Sequence, residues 1–76
     1  MERILLNVNT IICSECSHAL KRFIGSIKGV NSVVVIGGNI LISFENAEIP
    51  ESDITNIAKN CIEKLGYILL DINVVE

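Results

Sequence analysis

Residues 30–44, VNSVVVIGGNILISF, contain two short apolar runs on either side of a glycine pair. The first run, Val30–Ile36, is rich in β-branched residues, which favour strands. The second run, Ile40–Phe44, has isoleucine or phenylalanine at every second position, which is the period of a half-buried strand. Gly37-Gly38-Asn39 between them has the backbone freedom of a tight turn. The stretch therefore predicts an antiparallel β-hairpin.

A helix is predicted before the hairpin, because apolar residues between positions 15 and 29 recur with helical spacing. Ser14 is expected to cap its N-terminus, and Gly29 is expected to end it. The predicted buried stripe consists of Cys16, Leu20, Phe23, Ile24 and Ile27.

A second helix is predicted after Pro50, with Ile49 and Ile54 packing together at its start and Gly66 ending it. Its buried face follows a helical period and consists of Ile54, Ile57, Ala58, Cys61, Ile62 and Leu65. The thiol of Cys61 is interpreted as a small apolar packing group in that face.

Two further strands are predicted outside the helices, at Arg3–Asn9 and Ile68–Val75. The element order is then β-α-β-β-α-β, and each helix has one apolar stripe to bury. Right-handed crossovers place both helices on the same face of a four-stranded antiparallel sheet. The predicted fold is an α+β, ferredoxin-like βαββαβ sandwich, formed as a single domain by residues 1–76.

The composition excludes several classes of protein. A net charge of −3 and a sequence pI near 5.0, with only three aromatic residues, argue against nucleic-acid binding. No apolar run reaches the roughly 20 residues of a membrane-spanning helix, and the first residues do not resemble a signal peptide. Three cysteines cannot all pair within the chain, so reduced thiols and a cytoplasmic location are expected. One histidine in so small a domain favours a non-enzymatic role.

Two cysteines separated by two residues, Cys13 and Cys16, lie where the first helix is expected to begin. Thiolates prefer soft cations, and the partial positive charge of a helix N-terminus stabilises anionic sulfur. Metal binding and thiol–disulfide redox chemistry are equally compatible with this spacing alone. Structural zinc needs four ligands, and the chain has no second cysteine pair.

Residues 8–20, VNTIICSECSHAL, together with Gly29-Val30, Val33–Val35 and the later segments 42–44 and 62–67, resemble the heavy-metal-associated domain. The resemblance covers essentially the whole chain. It implies a βαββαβ domain that binds a soft metal through Cys13 and Cys16 and passes it to a partner. That partner would be a metal-transporting P-type ATPase or another metal-binding domain.

The same resemblance implies roles for two supporting residues. The family usually has glycine-methionine-threonine before the first cysteine, whereas this chain has Thr10-Ile11-Ile12, so Ile11 is expected to take the buried position of the methionine. Tyr67 corresponds to a tyrosine that lies near the metal loop in bacterial relatives, and we expect it to support the two thiolates or to pack against the core.

Cu(I) is the expected metal, because two sulfur ligands satisfy its low coordination number. Glu15, inside the motif, could add a carboxylate ligand and leaves Zn(II) or Cd(II) as alternatives, and Hg(II) also accepts two thiolates. A thiol–disulfide redox protein is the alternative from another functional class. The protein is expected to be mostly monomeric, with a metal-bridged dimer as the alternative.

Further side chains of the first helix and of the strands are expected at the surface. Lys21, Arg22 and Lys28 give the first helix a basic outer face, which is either ordinary solvated surface or a docking surface for an acidic partner, with Lys21 and Arg22 as the docking residues. His18 points away from the buried stripe and is expected to be a solvated side chain rather than a ligand. Leu5, Val34 and Leu41 are expected on the open face of the sheet.

Overall fold

Six elements follow one another in the predicted order in the computed structural model, which describes residues 2–75. They are β1 (Glu2–Val8), α1 (Ser14–Gly25), β2 (Val30–Ile36), β3 (Asn39–Phe44), α2 (Glu51–Lys64) and β4 (Leu69–Val75). Met1 and Glu76, the limits of the predicted domain, lie outside the described residues, and the extent of that domain stays a prediction.

The four strands form one antiparallel sheet in the order β2-β3-β1-β4. β2 and β3 pair as the predicted hairpin, with Ile36 opposite Asn39 across Gly37-Gly38. β1 lies between β3 and β4, so that Leu6 is opposite Ile40 on one side and Ile72 on the other. The predicted ferredoxin-like fold is confirmed.

One face of the sheet is covered by both helices. Alternate residues of β1 and β3 are buried against the apolar stripes of α1 and α2, because side chains of a strand point to opposite faces in turn. The completely buried side chains are Ile4, Leu6, Leu20, Ile24, Ile40, Ile42, Phe44, Ile54 and Ile62. On the opposite face, Leu5 and Val34 flank Leu41 from its two neighbouring strands and form a short apolar row.

The first helix is shorter than predicted and starts differently. Cys13, not Ser14, is the N-cap residue, because its backbone is extended and its own side chain accepts the first hydrogen bond. The helix ends at Gly25 instead of Gly29, since the Ser26 hydroxyl donates to the Phe23 carbonyl oxygen at 2.9 Å and closes the last turn. Phe23 was expected in the buried stripe but is 59% exposed, because it lies at the edge of that stripe beside an open groove between the helices.

The second helix begins and ends as predicted. Pro50 is its N-cap residue, and Ile49 and Ile54 on either side are both buried. At the other end Gly66 has φ +91°, a conformation that glycine adopts without steric cost, and Tyr67 N–H donates to the Ile62 carbonyl oxygen at 3.1 Å. This C-terminal motif turns the chain sharply and fixes the position of Tyr67. Within residues 2–75, neither helix has the length and apolarity needed to cross a membrane.

Candidate metal site

The two cysteines of the motif lie at the junction between the β1–α1 loop and the first turn of α1. Cys13 has φ −70° and ψ 163°, and its Sγ accepts a hydrogen bond from the backbone N–H of Cys16 at 3.4 Å. The Cys13 side chain is exposed and that of Cys16 is half-buried. A sulfur that already accepts from a helix N-terminal N–H is well placed to carry negative charge.

The surroundings of Cys13 favour its thiolate. Hydrogen bonding from the Cys16 backbone N–H is the main cause that lowers the pKa of the Cys13 thiol, and the Cys16 thiol and the Tyr67 hydroxyl lower it further. A lowered pKa increases the thiolate fraction near neutral pH, and the thiolate is the form that binds metal. The loop therefore prepares Cys13 as a metal ligand or as a nucleophile.

Tyr67 contacts this loop from the far end of the chain. Its hydroxyl oxygen accepts a hydrogen bond from the Cys13 backbone N–H at 3.2 Å, and its own proton is free to point toward sulfur. The pKa of Tyr67 is raised, chiefly by its interaction with the Cys16 side chain. The structure thus brings Tyr67 together with both cysteines.

Ile11 does not take the buried position that the family resemblance implied. Its side chain is 75% exposed, whereas the next residue, Ile12, is 7% exposed and belongs to the core cluster. The reason is the direction of the loop: the Ile12 N–H donates to the Gly37 carbonyl oxygen at 3.0 Å and turns the Ile12 side chain inward. Ile12 is a residue that sequence reasoning missed, since a loop has no period that identifies its buried position.

Additional hydrogen bonds fix the loop near its start. The Asn9 N–H donates to the Ile68 carbonyl oxygen at 3.0 Å, and the Asn9 Oδ1 accepts from the Ile68 N–H at 3.1 Å. Gly38, in the β2–β3 turn, lies so close that a Cβ on it would be 2.9 Å from the Thr10 carbonyl oxygen. Neither Asn9 nor Gly38 is predicted from the sequence to belong to the site.

Other candidate ligands are not gathered around the sulfurs. Glu15 and His18 are both exposed on α1. Among residues 2–75, no group of three or more His, Cys, Asp or Glu side chains is arranged to hold a metal ion. Within residues 2–75, Cys13 and Cys16 therefore provide the soft donor atoms at the β1–α1 loop.

The third thiol lies elsewhere. Cys61 is half-buried on α2 in an apolar groove of about 370 Å³ between the helices, where it packs against the core as predicted. Burial raises the pKa of the Cys61 thiol, and the nearby Lys64 charge only partly opposes this effect. Lys21 and Arg22, the predicted docking residues, are exposed on α1.

Comparison with solved structures identifies similar folds. The CopZ metallochaperone aligns with a TM-score of 0.69 and 26% identity, over 90% of this chain and 98% of that chain. The N-terminal domain of ZntA in the Zn(II) form aligns with a TM-score of 0.69 and 24% identity, over 92% and 90% of the two chains. A copper-binding domain of HMA7, a P-type ATPase, aligns with a TM-score of 0.67 and 22% identity, over 100% and 96%.

Sequence comparisons add no assignment, because no family model and no curated protein sequence matches the chain. The structural likenesses extend over nearly the whole length of this chain and of the proteins it resembles. The predicted resemblance to the heavy-metal-associated domain is therefore confirmed in the fold.

Proposed function

We propose that this protein binds a soft metal ion through Cys13 and Cys16 and transfers it to another protein, with Cu(I) as the cargo. The observation that carries the proposal is the placement of both thiols at the N-terminus of α1, where the Cys13 Sγ accepts the Cys16 N–H. The similarity to the CopZ metallochaperone and to the copper-binding domain of HMA7 supports it.

Cu(I) suits a site with two sulfur donors better than the alternatives do. Zn(II) normally takes four protein ligands in a structural site, and residues 2–75 contain no cluster of three suitable donors. The exposed carboxylate of Glu15 could supply one oxygen ligand, and the likeness to the Zn(II) form of the ZntA domain keeps zinc as the second candidate. Cd(II) and Hg(II) fall within the same soft-metal chemistry.

The exposed Cys13 allows transfer by ligand exchange. An incoming thiolate of a partner can bind the metal beside Cys13 before Cys16 is released, so that the ion is never free in solution. A metal-transporting P-type ATPase or a separate metal-binding domain has the required chemistry, and Lys21 and Arg22 would attract its acidic surface. No bond of a substrate is made or broken, so the proposed role is not enzymatic.

Competition for Cu(I) against a chromogenic chelator, under reducing conditions, tests the proposal. The parent protein should bind one Cu(I) per chain, and the double variant Cys13→Ser/Cys16→Ser should lose that binding. Cys61→Ser is the matched control, because it removes a thiol that lies in the groove between the helices. It should leave the Cu(I) affinity unchanged.

Three results would count against this assignment. Retention of full affinity by the double serine variant would show that the motif is not the site. If the protein bound Zn(II) more tightly than two sulfur ligands allow, and Glu15→Gln abolished this extra affinity, the assigned metal would be zinc. Insulin reduction without Cu(I) binding would favour the redox alternative.

A further inference from the structure

We infer that Asn9 and Gly38 are positioning residues of the dithiol site, which hold the β1–α1 loop from two opposite sides. This inference rests on the proposed function, because it assigns these residues to the geometry of the same two thiols. Neither residue contacts a sulfur. Each acts on the backbone of the loop, one through the α2–β4 connection and the other through the β2–β3 turn.

Asn9 fastens the loop to the start of β4 by two hydrogen bonds to a single residue. Its N–H donates to the Ile68 carbonyl oxygen and its Oδ1 accepts from the Ile68 N–H, at 3.0 and 3.1 Å. The side chain thereby replaces the carbonyl oxygen that a regular strand pair would present. The residue before Ile68 is Tyr67, whose hydroxyl accepts from the Cys13 N–H. Asn9 therefore fixes the residue next to Tyr67, and Tyr67 in turn contacts Cys13.

Gly38 supports the other side of the loop by its lack of a side chain. Its carbonyl oxygen accepts from the Val8 N–H at 2.9 Å, and the adjacent Gly37 carbonyl oxygen accepts from the Ile12 N–H at 3.0 Å. A Cβ at position 38 would lie 2.9 Å from the Thr10 carbonyl oxygen and 3.3 Å from that of Val8. Both contacts are with backbone atoms, so the loop itself would have to move.

The two supports bracket the segment that ends at Cys13. Position 38 holds residues 8–12 at the hairpin, and Asn9 with Tyr67 holds residues 9–13 at the start of β4. A displacement at either support passes along a few covalent bonds to Cys13 while Cys16 stays fixed in the helix. The separation and direction of the two sulfurs would then change. Residues that hydrogen-bond directly to metal ligands typically affect affinity by 10–100-fold, and for these two supports, which act one step further from the sulfurs, we expect an effect at the low end of that range.

Asn9→Ala and Gly38→Ala test the two supports separately, first in the metal-free protein. We expect the Cys13 amide to exchange its hydrogen faster in both variants, because its bond to the Tyr67 hydroxyl is disturbed. Asn9→Asp keeps the Oδ1 acceptor and should restore slow exchange. With Cu(I), competition against a chelator should show affinity weaker by about tenfold in both alanine variants.

Two matched variants separate positioning from general destabilisation. Gly25→Ala adds a Cβ where nothing lies within 4 Å, and Asn7→Ala shortens an exposed asparagine side chain on β1, two residues before Asn9. Both should keep the exchange rate of the Cys13 amide and the Cu(I) affinity. Urea unfolding of every variant identifies any loss of stability, and affinities are compared under conditions in which each variant is folded.

If folded Asn9→Ala binds Cu(I) as tightly as the parent protein, the inference is overturned, whether or not amide exchange becomes faster. Asn9 would then stabilise the loop without positioning the two thiols. If Gly38→Ala does not fold, Asn9→Ala decides alone. Absence of Cu(I) binding by the parent protein refutes the proposed function instead, and amide exchange still decides whether these residues hold the loop.

Discussion

At the scale of single residues, the loop before Cys13 shows how neighbouring isoleucines can have opposite roles. Ile12 is 7% exposed and packs in the core, and Ile11 is 75% exposed. The two side chains have the same size and chemistry. If each is replaced by alanine, a difference between the two losses in the free energy of unfolding therefore reports which side chain is buried. The buried side chain in turn shows how the loop is oriented against the core.

Ile12→Ala should lower the free energy of unfolding by about 2 kcal/mol or more, because a buried isoleucine loses its packing and leaves a cavity. Ile11→Ala is the matched control and should change it by no more than about 0.5 kcal/mol, as expected for an exposed position. Urea unfolding followed by circular dichroism measures both values. Equal losses at the two positions would contradict the burial of Ile12 and the exposure of Ile11.

Tyr67→Phe should raise the pKa of the Cys13 thiol, because it removes a hydroxyl hydrogen bond that lowers that pKa in the folded protein. The pH midpoint for alkylation of Cys13 by iodoacetamide, followed by mass spectrometry, should move upward. In linkage terms, a depressed thiol pKa contributes stability above the unfolded-state pKa, and this contribution is lost as pH falls through the folded-state pKa. The variant should therefore gain less stability than the parent as the pH is raised.

Cys61 provides the internal reference for that experiment. Burial raises the pKa of its thiol, and Tyr67 is not among the causes. Its alkylation midpoint should lie above that of Cys13 in the parent and stay in place in Tyr67→Phe. An unchanged Cys13 midpoint in the variant would mean that the hydroxyl does not influence the thiolate.

At the scale of secondary-structure elements, the sequence predicts what depends on neighbouring residues. The strand bounds Val30–Ile36 agree with the structure, because a β-branched run and a two-glycine turn determine the hairpin locally. The end of α2 is also a local property, since Gly66 and the bond from Tyr67 to Ile62 complete a motif within six residues. Periodicity and turn residues are sufficient for such features.

The errors near the cysteine motif arise where a sulfur or a distant segment decides the outcome. The N-cap residue is Cys13 and not the predicted Ser14, because the Cys13 thiol accepts the Cys16 N–H. This was not expected, since sulfur is a weaker acceptor than a hydroxyl oxygen. The bonds between Asn9 and Ile68 join residues 59 positions apart in sequence. No local pattern encodes such a contact, so the cysteine motif could be located from sequence but its supports could not.

At the scale of the whole molecule, three separate connections converge on one end of the sheet. The β1–α1 loop carries Cys13, the β2–β3 turn accepts its Ile12 N–H, and the α2–β4 connection brings Tyr67 to it. All three connections lie at corresponding ends of antiparallel strands, since β1 pairs with both β3 and β4. The topology therefore places the exposed Cys13 at an end of the molecule where a partner can approach.

Lys21 and Arg22 should accelerate metal transfer to an acidic partner without contributing to metal affinity. They are exposed on α1 and follow Cys16 by five and six residues, which is about 8 Å along a helix. At that distance their charges can steer an approaching acidic surface toward the sulfurs but do not ligate the ion. The variant Lys21→Glu/Arg22→Glu should therefore slow Cu(I) transfer to an acidic metal-binding domain by about tenfold at low ionic strength.

The control Arg3→Glu/Lys59→Glu makes the same change in net charge at exposed positions, one near the start of β1 and one on α2. Stopped-flow transfer kinetics at several salt concentrations compare the two variants, and chelator competition confirms that each keeps the parent Cu(I) affinity. Salt should abolish the difference between the Lys21/Arg22 variant and the parent, because exposed charges are screened beyond roughly 10 Å at 0.1 M. If both variants slow transfer equally, net charge rather than the face of α1 governs encounter, and the assignment of a docking surface there is wrong.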